Sequence, residues 1–160
     1  MLALALTAEL DGVTDLRPDD TAENPYLYTF KVQCTSCREI HPNWVTVSRH
    51  ETNELSGSRG EANFVWRCKN CKREHSANIT EAPKAYEQAS PAKAKNILVF
   101  DCRGLEFVEF RADGEWLATG TESGTKFTGV DLSDGEWFDY DEKAGEEVSI
   151  KDIKWEIRRA

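Results

Sequence analysis

Apolar residues recur at every second position through much of the chain. Leu2, Leu4, Leu6 and Leu10 alternate with small or polar residues, and Ala8 completes their row. A period of two predicts a half-buried β-strand. The same pattern predicts strands at 26–32 (YLYTFKV), which runs into a cysteine, and at 44–47, 64–66 and 75–79. The stretch DGVTDLRPDDTAENP reads as turns, and 53–60 as a polar loop carrying Gly57 and Gly60. Residues 81–95 are rich in Ala, Lys and Pro. Pro83 and Pro91 break any long helix there, so the segment reads as a connection with room for one helical turn. Beyond it, 97–100 and 105–110 are clear strands, and 116–118, 127–130, 137–140 and 148–150 are weaker ones. Near the end Ile153, Trp155 and Ile157 point one way while Lys154, Glu156 and Arg158 point the other. No segment sustains a helical period. The predicted fold class is mainly β.

The chain divides into a half at 1–80, the connection at 81–95 and a half at 96–160, expected to pack as one unit. A faint echo links the halves. Each has a strand ending at a cysteine (FKVQC, LVFDC), then a glycine-bearing polar loop and an aromatic (SGSRGEANF, TESGTKF).

A chain of 160 residues suits one domain or two small ones that share an interface. Five Trp, four Tyr and seven Phe can furnish its core. The longest apolar run, residues 1–6, is far shorter than the roughly 20 residues a membrane-spanning helix needs. Twenty basic against 29 acidic residues give a net charge of -9, which opposes broad electrostatic binding to nucleic acid or anionic lipid. The first residues lack the basic start and longer apolar stretch of a secretory signal, so a cytoplasmic, and also nuclear, location is expected. In those compartments paired cysteines hold metal or do redox chemistry more often than they form disulfides.

Four of the five cysteines form two C-x-x-C pairs, Cys34/Cys37 and Cys68/Cys71, with thirty residues between them. Two intervening residues let one tight turn aim both sulfurs at one ion, and Zn2+ accepts four thiolates in a tetrahedron at about 2.3 Å. The pairs can meet if 44–47 and 64–66 form a hairpin between them. One structural zinc on Cys34, Cys37, Cys68 and Cys71 is therefore predicted. A saturated shell leaves no open position for catalysis. Between Lys31 and His75 there are eight Lys or Arg and five Glu. Lys31, Arg38, Arg67, Lys69, Lys72 and Arg73 would partly offset the negative centre, or stand as ordinary solvated side chains. His75 follows Cys71 by four residues but finds the shell already filled, and His41 and His50 are assigned to the surface.

Several sequence pieces resemble the eukaryotic CXXC-motif-containing zinc-binding protein family. They are LRP at 16–18, KVQCTSC, SRGEANF before CKNC, DCRGLEFVEF at 101–110, ESGT at 122–125 and WFDYDEKAGEEV at 137–148. The resemblance implies two similar antiparallel halves, sandwich- or barrel-like and related by a pseudo-two-fold axis. It also implies zinc in the first half only, on the same four cysteines. It implies no reaction.

Three functions compete. A zinc-stabilised module that binds other proteins would use 131–147, where eight acidic residues and only Lys143 as a base surround Trp137, Phe138 and Tyr140. The alternative is a solvated loop whose aromatics turn inward. A thiol oxidoreductase, similar to methionine sulfoxide reductases, would use Cys102 with Arg103 lowering its pKa. Against it, Cys102 ends an apolar strand and no resolving cysteine is left. A nucleic-acid ribbon would use RCKNCKR, but the chain is acidic. The predicted protein is non-enzymatic. Nucleotide loops, metalloprotease helices, serine elbows and EF-hands are absent from the sequence.

Overall fold

Hydrogen-bonded strands account for all the regular structure in a computed structural model describing residues 1–57 and 59–160. Among the described residues these are β1 (Leu2–Asp11), β2 (Val13–Pro18), β3 (Tyr28–Cys34), β4 (Val45–Val47), β5 (Asn53–Glu54), β6 (Glu61–Ala62) and β7 (Phe64–Arg67). They continue with β8 (Glu74–Ile79), β9 (Lys95–Arg103), β10 (Leu105–Arg111), β11 (Glu115–Gly120), β12 (Lys126–Asp131), β13 (Trp137–Asp141) and β14 (Glu146–Arg159). The fold is all-β, as the periodicity predicts.

The largest sheet runs β13-β14-β1-β9-β8-β7. Two three-stranded sheets, β10-β3-β4 and β12-β11-β2, and the short β5-β6 pair complete the fold. Strands distant in sequence are interleaved. β1 lies between β14 and β9, β10 pairs with β3, and β2 pairs with β11. Because β1 is an inner strand, Ala3 and Ala5 are buried together with Leu4 and Leu6, so both its faces are covered rather than one.

Four stretches of the chain differ from the elements expected. First, the turn-rich start of 11–25 contains β2. Gly12 (φ 77) bends the chain from the largest sheet into the β12-β11-β2 sheet, and Asp15 (φ 56) sits where the β2–β11 register slips. That bulge buries both Val13 and Leu16, three residues apart, and hides the period of two. Second, 148–150 and 153–157 belong to one strand, β14, interrupted only by left-handed Asp152 (φ 52) near its register shift against β1. Third, the loop expected at 53–60 begins with β5, and its Ser58 lies outside the described residues. Fourth, 44–47 and 64–66 are not arms of one hairpin: β4 pairs with β3, and β7 pairs with β8 in another sheet.

The connection at 81–95 is not helical. Tyr86 exchanges two backbone hydrogen bonds with Leu16, and its hydroxyl donates to the Lys93 carbonyl at 2.6 Å. Phe30 stacks on Phe107 of the neighbouring strand β10 at 4.2 Å and meets Phe100 of the largest sheet edge-on at 5.6 Å. Phe30 is fully buried, and its truncation to Ala would cost about 3–5 kcal/mol. This aromatic cluster thus joins β3 to β9 and β10, which lie more than sixty residues further along the chain.

Candidate metal centre

Each cysteine pair begins where a strand ends. Cys34 closes β3 and Cys68 follows β7. In both, the amide four residues on returns to the first cysteine's carbonyl: Arg38 to Cys34 and Lys72 to Cys68, each at 2.9 Å. Arg38 (φ 66) and Lys72 (φ 65) both take the left-handed conformation that closes this turn. The first cysteine's amide then donates back across the turn, to the Glu39 carbonyl at 3.0 Å and the Arg73 carbonyl at 2.9 Å.

The two turns face each other. All four sulfurs lie within 4.8 Å of one another, with Cys34 3.7 Å from Cys71 and Cys37 3.6 Å from Cys68. A tetrahedron with metal–sulfur bonds of 2.3 Å has edges of about 3.8 Å, so the spacing fits one tetrahedral ion. Cys34 and Cys68 are buried, while Cys37 and Cys71 are half-buried. The thiols also differ in acidity. The Asn70 side chain, then the backbone at Glu39, lowers Cys37 to about 6. For Cys71 the hydrogen bond at Arg73 favours the thiolate, but burial and the three neighbouring sulfurs outweigh it and push the thiol up to about 11. Four sulfurs so close cannot all ionise by themselves. A divalent cation removes that conflict, and the donor set therefore suits a metal. Of the cations expected nearby, Lys31 is turned to the Pro42 carbonyl and the Trp44 ring, and Arg67 bonds the Lys72 carbonyl.

His75 lies closer to this centre than its surroundings in sequence suggested. Its Nε2 is 3.2 Å from the Cys34 sulfur, and the residue is buried. Burial, and next the charge of Arg73, hold its imidazole below the usual range. His41 is half-buried against the edge of Trp66, while His50 is exposed and pairs with Asp20 at 3.1 Å.

A second pair of turns has the same backbone plan without cysteine. Gly124 N–H donates to Gly120 O at 3.0 Å and Gly145 N–H to Asp141 O at 2.7 Å, and both donors have positive φ (71 and 68). Buried Asp141 binds these turns together. It accepts from the Ser123 hydroxyl, from the Thr125 hydroxyl at 2.8 Å, and from the Lys143 and Ala144 amides at 3.1 and 3.2 Å. The Ser123 bond comes first among the causes that hold its carboxyl below the ordinary value. The signal in the sequence was a glycine four residues after each strand end.

Asp20 is another residue that sequence reasoning missed. Its fully buried side chain accepts from Arg49 Nε and Tyr28 hydroxyl, each at 2.8 Å, and pins the loop after β2 to the segment after β4. Cys102 is half-buried on β9. Burial, aided by the charge of Asp101, pushes its thiol up to about 12, the opposite of an activated nucleophile. In the acidic segment Trp137 turns inward onto Phe127 at 5.5 Å, whereas Phe138 and Tyr140 are 60% and 51% exposed on β13.

Fold and site together define an all-β protein with a four-cysteine cluster able to coordinate a metal ion. The family model for "CXXC motif containing zinc binding protein, eukaryotic" matches residues 3–158, and the chain belongs to that family. A UPF0587 protein of Schizosaccharomyces pombe is 48% identical over 158 residues, covering 99% of this chain and 98% of its own. The CXXC motif containing zinc binding protein of Mus musculus is 40% identical over 153 residues, covering 95% and 94%. The crystal structure of C1orf123 superposes with a TM-score of 0.90 at 37% identity, covering 99% of both chains. The family is described by zinc binding, with no catalytic activity in that description.

Proposed function

We propose that the chain holds one Zn2+ on Cys34, Cys37, Cys68 and Cys71, that the ion is structural, and that the protein acts by binding other proteins in the cytoplasm or nucleus. The observation carrying the metal reading is the tetrahedral spacing of the four sulfurs. Four thiolates fill the shell of zinc, leaving no position for a substrate. Relatives named as zinc binding proteins and five free cysteines agree with a metal site in a reducing compartment. Elemental analysis of the purified full chain should return one zinc per molecule, and a folded, metal-free protein would overturn the reading.

The chain is further read as two copies of one unit, 1–80 and 96–160, joined by 81–95 and related by a pseudo-two-fold axis between β1 and β9. Three observations support this. The largest sheet reads the same from both ends, with β13-β14-β1 answered by β7-β8-β9. Sheet β10-β3-β4 likewise answers β2-β11-β12. Finally, the cysteine turns occur where the Gly120 and Asp141 turns occur. On this reading each copy lends its second strand, β2 or β10, to the other.

The partner surface is assigned to β13, an edge strand of the largest sheet, with Phe138 and Tyr140 outward among the acidic residues of 131–147. An edge strand offers unpaired backbone groups, and its charge favours a basic protein segment. Pull-down with the intact chain and with Phe138→Ser/Tyr140→Ser tests it; equal recovery of partners would reject this surface.

A further inference from the structure

Two glycines stand at equivalent places, one beside each pair of turns. Gly104, between β9 and β10, accepts from the Thr35 amide through its carbonyl at 3.0 Å. Gly12, between β1 and β2, accepts from the Thr121 amide at 3.0 Å. Both have positive φ, 82 and 77. A methyl group on Gly104 would lie 2.1 Å from Nδ1 of His75, and one on Gly12 would lie 2.8 Å from Cγ1 of Val148. His75 comes four residues after Cys71, and Val148 four residues after Ala144. The same slot, packed against the same kind of glycine, therefore holds a valine beside the carboxylate-linked turns and an imidazole beside the sulfurs. Packing alone is served by valine. What the imidazole adds is a polar nitrogen, Nε2, aimed at the Cys34 sulfur from 3.2 Å.

We propose that His75 donates an Nε2–H hydrogen bond to the metal-bound sulfur of Cys34, as a positioning residue that retains the metal. The proposal rests on the zinc reading of the four cysteines. Four thiolates around a divalent cation carry a net charge of -2, and an N–H donor to one sulfur draws off part of that charge. Such a bond fixes the direction of the ligand sulfur and spreads its charge, so the metal is released less readily. Gly104 and Trp66 flank the ring and fix its direction.

The test uses the zinc-loaded full chain. Nitrogen NMR of histidine-labelled protein is expected to find a proton on His75 Nε2. His75→Val, copying the other slot, should release zinc to excess chelator about 10–100-fold faster. In the cobalt-substituted form its thiolate charge-transfer bands should move to lower energy. His75→Gln, which keeps a donor, should recover part of both effects. An Nε2 that bears no proton, or that is bonded to the metal, overturns the proposal in the wild-type chain even if the valine variant does not fold. A folded His75→Val protein with unchanged release rate and unchanged bands also overturns it. A chain that takes up no zinc sinks the reading of the centre and this proposal with it, whereas one bound zinc beside an unprotonated Nε2 sinks this proposal alone.

Discussion

The turns at Cys34 and Cys68 and the turns at Gly120 and Asp141 close on the same backbone hydrogen bonds, yet different chemistry joins each pair. In the first pair four sulfurs crowd to 3.6–3.7 Å across the gap. In the second a single buried carboxylate accepts from two hydroxyls and two amides. The turn itself therefore needs no metal. What both pairs need is a cross-link between one turn and the other. A carboxylate with matched donors supplies it without help, because one negative charge is distributed over four hydrogen bonds. Four thiols cannot, since their ionised forms repel, and they depend on a cation. One cross-link is thus complete within the chain, whereas on the zinc reading the other is completed by the metal.

Complete chelation of zinc is the most severe way to break this contrast. On the zinc reading, the metal joins only the turns that follow β3 and β7, so its removal acts first on the strands that carry them. Hydrogen exchange after chelation should rise in β3, β7 and β8 while β11 and β13 keep their protection. Uniform loss, or an unchanged melting temperature, would count against a local structural metal. The converse graft places Cys at Gly120, Ser123, Asp141 and Ala144 together. It should raise the zinc content from one to two per chain; a content that stays at one would mean that the two turn pairs differ in more than their side chains.

Asp141→Asn should lower the melting temperature by about 5–10 °C and leave the zinc content intact. Its pH dependence follows from the lowered carboxyl pKa. The wild-type advantage is fully present above the unfolded value of about 3.9 and is lost as pH falls through the lower native value. The difference between the two proteins should therefore hold between pH 7 and 5 and close in strong acid. A gap that widens in acid would contradict the assignment. The smallest effect is expected from Phe138→Ser/Tyr140→Ser, exposed side chains whose removal should leave melting within about 2 °C of wild type. A larger drop in a thermal scan would mean that these rings serve the fold.

Leu4, Leu6, Phe30 and Ile150 were legible as core because each stands in a period-two run. Val13 and Leu16 were not, since a bulge at Asp15 breaks the period that would have revealed them. Asp20 and Asp141 looked like two more charges in an acidic chain. Only their partners, Arg49 and Tyr28 for one and Ser123 and Thr125 for the other, make burial of each carboxylate tolerable.

Alternation and turn residues determined that this chain would be all-β, and two C-x-x-C pairs determined that sulfur would be its metal-binding chemistry. Those are local properties, set within a few residues by side-chain period and turn closure. The tertiary structure decided that β2 would pair with β11 and β10 with β3, that the cysteine turns would meet without a hairpin between them, and that His75 would point at Cys34. These depend on pairings between residues tens of positions apart, whose energies come from burial and from hydrogen-bond partners that no local window of the sequence contains.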